Sequence, residues 1–210
     1  MTPLNYFALG DSYTIGEGVP QEYSFPFLLC QKLREDGLQI NDPQIIAKTG
    51  WTTDELLKGI KDEGIKQKFD LVTLLIGVNN QYRGYSTDNY RVEFLDLLHI
   101  ALSYSNFNKN NVFVISIPDW SITPFAGKSN RDLTKLSKEV DEFNSVNRDE
   151  ALQAGIAYVD ITPEFKRAAS DPSMLADDGL HPSGNMYAEW AEKIAASIKI
   201  SRQLQSPKGS

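Results

Sequence analysis

Five short apolar runs rich in β-branched residues recur along the chain: LNYFALG near the start, then QIIAKTG, FDLVTLLIG, NVFVISIP and IAYVDI. Each is mostly continuous rather than alternating, the pattern of strands covered on both faces. Helical spacing fills the intervals. From Tyr90 the apolar positions run Phe94, Leu97, Leu98, Ala101 and Leu102, and from Leu133 they run Leu136, Val140, Phe143 and Val146. A last stripe of Tyr187, Trp190, Ala191, Ile194 and Ile198 predicts a C-terminal helix with one core face. Strands alternating with helices predict a parallel sheet with right-handed crossovers and helices on both sides, a three-layer α/β/α sandwich. No repeat, low-complexity tract or linker interrupts the pattern, so residues 1–200 read as one domain. The final SRQLQSPKGS, residues 201–210, reads as a frayed or tag-derived end.

Composition narrows this picture only a little. With 41% hydrophobic and 23% charged residues in 210, the chain is ordinary globular material. A net charge of −7 disfavours nucleic acid or an anionic membrane as partner and suits a neutral or cationic small molecule. Cys30, the sole cysteine, lies in the apolar SFPFLLCQKL and reads as a core thiol that can form no internal disulfide. No run has the length of a transmembrane helix and no export signal is recognisable, so the chain as it stands reads as cytosolic. An exported protein stripped of its signal would give the same pattern. The oligomeric state leaves no trace in the sequence.

In a sheet of this type the ligand crevice lies beyond the carboxyl ends of the strands, so candidate chemistry is sought there. Ser12 follows the first apolar run in GDSYTIGEG, Gly50 the second in AKTGWTTDEL, and Asn79 the third in LLIGVNNQY. Asp178 and His181 stand in DDGLHPSG before the last helix. These residue types suit acyl transfer. Ser12 would attack a carbonyl, His181 would take and return its proton, and Asp178 would hold the imidazole in the productive tautomer. The amides of Ser12 and Gly50 and the side chain of Asn79 would receive the oxyanion; a glycine at 50 would keep a side chain from crowding that amide. With Gly179 between them and Pro182 barring a helix, Asp178 and His181 can face the same side of one turn.

GDS around Ser12, the glycine at 50, the GVN ending at Asn79, and DGLHP near the C-terminus occur in the order found in the SGNH, or GDSL-type, esterases and lipases, which the chain resembles. The resemblance spans Gly10 to Pro182 and implies a flavodoxin-like fold with a central, mainly parallel five-stranded sheet. It also implies the roles just given to Ser12, Gly50, Asn79, Asp178 and His181, and no cofactor. Two positions depart from the family pattern: Tyr13 replaces the leucine of GDSL, and Asn80 stands where many members have aspartate.

Each residue also has a plainer reading. Ser12 alone would be a helix cap, Gly50 a strand-end glycine rivalled by Gly77, and Asn79 a turn residue rivalled by Asn80. His99 lies mid-helix in FLDLLHIALSY, which leaves His181 as the base. Asp177 is a less well spaced orienter than Asp178. A metal held by Asp11, Asp178 and His181 lacks supporting ligand spacing, and GEG at 16–18 lacks the third glycine of a dinucleotide loop. Trp51, Asn80, Arg83, Trp120, Phe125, Met174 and Leu175 follow strand ends or precede the dyad and are candidate pocket walls, with Arg83 a candidate anion contact. The expected partner is a small-molecule ester or thioester of a small or lipid-like acyl group. Transfer of the acyl group to a sugar, carbohydrate deacetylation and a non-catalytic binding module are the alternatives.

Overall fold

The five apolar runs form five parallel strands in the order β2-β1-β3-β4-β5. In chain order the computed structural model, which describes residues 2–205, contains β1 (Tyr6–Asp11), α1 (Ser12–Ile15), α2 (Phe25–Glu35), β2 (Gln44–Lys48), α3 (Thr53–Glu63), β3 (Leu71–Leu75), α4 (Val78–Tyr82) and α5 (Thr87–Tyr104). It continues with β4 (Val112–Ile115), α6 (Pro124–Gly127), α7 (Leu133–Gln153), β5 (Ala157–Val159), α8 (Thr162–Lys166) and α9 (Gly184–Gln205). Helices cover both faces: α2 packs on α9, while α3, α5 and α7 form the other layer.

The burial of each strand follows its place in the sheet. β1, β3 and β4 are buried at every position, as continuous apolar strands must be, while β2 and β5 at the two edges are partly exposed. The helical stripes behave alike. Tyr90, Phe94, Leu97, Leu98 and Ala101 are buried, as are Leu136, Val140, Phe143 and Val146; Leu133, in the first turn of α7, is exposed. On α9 the whole predicted stripe from Tyr187 to Ile198 is buried. That helix continues to Gln205, so residues 201–205, assigned to the tail from sequence, are helical; residues 206–210 of that tail lie outside the described residues.

Register levels the strand ends. Gly10 of β1 stands beside Ala47 of β2 and Leu75 of β3, and Asp11 stands beside Lys48. The chain leaves β1 outward to β2 and then crosses back to β3, so the segments after these strands diverge from the reversal point and open a crevice there. Among the described residues no helix is long and apolar enough to cross a membrane, and no cluster of three or more His, Cys, Asp or Glu side chains is placed to hold a metal ion.

Candidate active site

Strand β1 ends in Asp11, whose carboxylate caps α1 by accepting the Tyr13 N–H at 3.0 Å. This cap turns the chain sharply, and Ser12 becomes the first helical residue with its hydroxyl over the sheet rim. The plainer reading of Ser12 as the cap is therefore displaced: Asp11 caps. From the other end of the chain, His181 Nε2 comes to 2.9 Å from Ser12 Oγ, and its Nδ1 lies 2.6 Å from Asp178 Oδ2. The other carboxylate oxygen of Asp178 accepts the backbone N–H groups of Leu180 at 2.8 Å and His181 at 2.9 Å. One aspartate thus shapes the turn and orients the ring.

Partial burial works against the charged form of Asp178, yet the bonds from the His181 ring and from the His181 and Leu180 amides outweigh it and hold the carboxyl below its ordinary range. An ionised carboxylate only accepts, so the ring proton sits on Nδ1 and Nε2 is left to accept from the Ser12 hydroxyl. Behind the imidazole the Tyr13 ring lies 5.0 Å away, backed by the buried Trp190 of α9. Tyr13, the departure from the family's leucine, is thus part of the wall behind the imidazole.

Ser12, Gly50, Asn79 and His181 line one cavity of about 220 Å³ together with Tyr13, Thr49, Val78, Tyr82, Trp120, Phe125 and Leu180. Gly50 has φ +82, and a side chain there would meet only the Arg83 guanidinium at an ordinary 3.7 Å. The left-handed backbone by itself favours glycine here. Asn79 donates its amide to the Trp51 carbonyl at 3.0 Å and makes a long contact of 3.4 Å with Asp11 Oδ2. Asp11 is fully buried, and burial pushes its carboxyl up to about 7 against the bonds from Tyr13 and Asn79.

Of the wall residues expected from sequence, Trp120 and Phe125 line the cavity. The Trp120 indole donates to Gln81 Oε1 at 2.8 Å, and the Gln81 amide donates to Glu139 at 2.8 Å, so this wall is fixed from behind. Phe125 is tied to the turn between Asp178 and His181, its N–H bonded to the Gly179 carbonyl at 3.1 Å. The others do not line the cavity. Trp51 lies against Gly59 of α3, Leu175 is buried and bridges Pro182, and Met174 packs on the core. Buried Asn80 pairs with Thr53, accepting its N–H at 3.1 Å and donating to its hydroxyl at 2.7 Å. Arg83 donates to the Gly50 carbonyl at 2.6 Å and pairs with Glu55 at 3.3 Å. His99 is exposed on α5, edge-on to Phe107.

Sequence reasoning missed Thr49, Val78 and Leu180 as wall residues, each a chain neighbour of a motif residue; Tyr82, within the NQYRG stretch expected as a wall, lines the cavity one helical turn beyond Asn79 on α4.

Fold and relay together define a class: three-layer α/β/α proteins with a Ser–His–Asp relay on the strand-end rim. Residues 8–189 match the GDSL-like lipase/acylhydrolase family, and the chain belongs to it. A multidomain esterase of Ruminococcus flavefaciens is 27% identical over 143 residues, which is 63% of this chain and only 16% of that much longer relative. Among solved structures, the psychrotrophic esterase EstA from Pseudoalteromonas sp. superposes with a TM-score of 0.71 at 16% identity, covering 95% of this chain and 98% of its own. The acetyl xylan esterase AlAXEase superposes with a TM-score of 0.69 at 17% identity, covering 93% and 100%. At these identities the likeness speaks to the fold.

Proposed function

We propose that this protein is a serine esterase that cleaves esters of small acyl groups through an acyl-enzyme. The observation that carries the reading is the continuous relay from Ser12 Oγ through His181 to Asp178 at 2.9 Å and 2.6 Å, opening on a cavity. His181 Nε2 takes the Ser12 proton as Oγ attacks the acyl carbon, and the ionised Asp178 favours the imidazolium that forms. The negative charge developing on the carbonyl oxygen meets the amides of Ser12 and Gly50 and the Asn79 side chain; the long bond from Asn79 to Asp11 is the one given up for it. Imidazolium then protonates the leaving alcohol. In the second half-reaction a water gives its proton to Nε2 and its oxygen to the acyl carbon; the bond from that carbon to Ser12 Oγ then breaks and Oγ takes the proton back from His181.

The cavity of about 220 Å³ is smaller than the ~300–1,000 Å³ of pockets that enclose drug-sized ligands, which favours acetyl and similarly short acyl groups over lipid chains. A second reading, deacetylation of a carbohydrate, is favoured by Tyr82 and Phe125, two aromatic rings 45% and 39% exposed among the cavity walls, where a sugar leaving group would have a flat face to lie on. The family relatives that act on acetylated glycans are consistent with it. The test is hydrolysis of a chain-length series of chromogenic esters by wild type and Ser12→Ala. A rate maximum at acetyl that vanishes in the variant is expected; equal rates from both proteins would remove Ser12 from the chemistry.

A further inference from the structure

The short helix α4, with its C-cap Arg83, holds three of the four residues 50–53 in the segment after β2. Asn79 holds the Trp51 carbonyl at 3.0 Å, Asn80 holds the N–H of Thr53 at 3.1 Å, and Arg83 holds the Gly50 carbonyl at 2.6 Å. Thr52 is reached through Glu55, which accepts the Thr52 N–H at 2.9 Å and pairs with Arg83 at 3.3 Å. Arg83 itself caps α4 at its C-terminal end, one turn beyond Asn79, its N–H bonded to the Asn79 carbonyl at 3.0 Å. Its backbone is therefore tied to the residue that carries one candidate oxyanion donor, and its guanidinium to the residue that carries another.

We propose that Arg83 is a positioning residue of the esterase, clamping the Gly50 peptide to the helix that bears Asn79 so that both oxyanion donors keep one spacing. This rests on the esterase reading above. The Gly50 N–H and carbonyl belong to adjacent peptide units hinged at its Cα, and at φ +82 that hinge holds a conformation a free glycine leaves as easily as it enters. A carbonyl pinned by a planar guanidinium limits that freedom, and the Glu55 carboxylate keeps the guanidinium from swinging into solvent. The ion pair itself is exposed and adds little stability, so the clamp acts on geometry rather than on folding.

The test is steady-state kinetics on a neutral ester, 4-nitrophenyl acetate, with Arg83→Met, Arg83→Lys, Asn79→Ala and the Asn79→Ala/Arg83→Met double variant, alongside wild type and Ser12→Ala. Removing an oxyanion donor outright costs about a hundredfold or more, and mislaying two should cost about tenfold or more in kcat. For Arg83→Met we expect that loss with KM within about twofold, the signature of an interaction realised at the transition state. Arg83→Lys, which can still place an N–H on the Gly50 carbonyl, should recover part of it. In the Asn79→Ala background the same Arg83 substitution should cost about threefold or less, because one of the two donors it registers is already gone. An unchanged kcat, a rise confined to KM, or strict additivity with Asn79→Ala overturns the proposal. So does a kcat loss that follows a large fall in melting temperature and is not relieved by lysine. If Ser12→Ala is as active as wild type the esterase reading itself fails, whereas an inactive Ser12→Ala beside a fully active Arg83→Met sinks only the clamp.

Discussion

Asp178→Asn separates the two jobs this residue holds. Asparagine can keep Oδ1 under the Leu180 and His181 amides, now 2.8 and 2.9 Å away, so the turn survives. Its amide nitrogen then occupies the place of Oδ2, 2.6 Å from His181 Nδ1, and donates where the carboxylate accepted. Nδ1 must become the bare nitrogen and Nε2 the protonated one, so Ser12 faces a donor that cannot take its proton. Flipping the asparagine restores the tautomer but sets its NH₂ against two backbone donors, losing two hydrogen bonds at about 1–1.5 kcal/mol each, a penalty near a hundredfold. The imidazolium also loses its charged partner; with Asp178 39% exposed and so screened, that is about 2–3 kcal/mol further. Together these predict a fall in kcat of about 10⁴ on an acetyl ester, with the melting temperature within about 2–4 °C of wild type, the shift that 1 kcal/mol produces in a chain this long. A kcat within tenfold of wild type would refute the orienting role of Asp178.

Gly77 has φ +126, and a Cβ there would run into the hydroxyl of Tyr90, which lies within hydrogen-bond reach of Ile76 O at 2.9 Å and Asn147 Oδ1 at 2.6 Å. Gly77→Ala should therefore cost about 3 kcal/mol or more and lower the melting temperature by about 6–12 °C, against about 1 kcal/mol for Gly37→Ala, where a Cβ meets open space. Buried Asp11, with its carboxyl raised to about 7, keeps a proton in the folded state that the unfolded chain releases near the ordinary carboxylate value. Its contribution to stability is full below that value and is lost as pH rises to and through 7, at up to about 1.4 kcal/mol per pH unit and about 4 kcal/mol in all. Denaturation midpoints from pH 4.5 to 8 should decline more steeply in wild type than in Asp11→Asn, and parallel curves would contradict this. Burial pushes the Cys30 thiol up to about 12, and its Sγ donates to the Asn41 carbonyl at 3.3 Å. Cys30 should react with a disulfide reagent only after denaturation, and rapid labelling of the native protein at pH 8 would count against it.

What could be read from the sequence, and what could not, divides along one physical line. Continuous apolar runs identified β1, β3 and β4 because burial on both faces leaves few polar positions to break them, and the stripe ending at Ile198 identified α9 because one helix face is core. Strand-end placement then located Ser12, Gly50 and Asn79, since the register of parallel strands brings residues after neighbouring strands to one rim whatever the helices between them do. Asp178 and His181 were legible because their relation is local, three residues along one turn. Pocket walls were legible only in part: Trp120 and Phe125 line the cavity as expected, but a side chain in a loop gives no sign of which way it turns, and Trp51 and Leu175 look inward to the core while Val78 on α4 looks into the cavity.

Arg83 exposes the deeper limit. From sequence it is a cation in a polar loop, solvated or else a contact for a substrate anion. Its main partner is instead a backbone carbonyl 33 residues away, a group that every residue carries and that no pattern of side chains reveals. The same holds for Asn79, whose side chain meets the Trp51 carbonyl, and for Asp178, which holds two backbone amides. A sequence names the groups able to do chemistry, because these are side chains. The groups that set their spacing are largely main chain, so the precision of the candidate oxyanion donors belongs to the fold, and substitutions that leave every motif intact can still dismantle it.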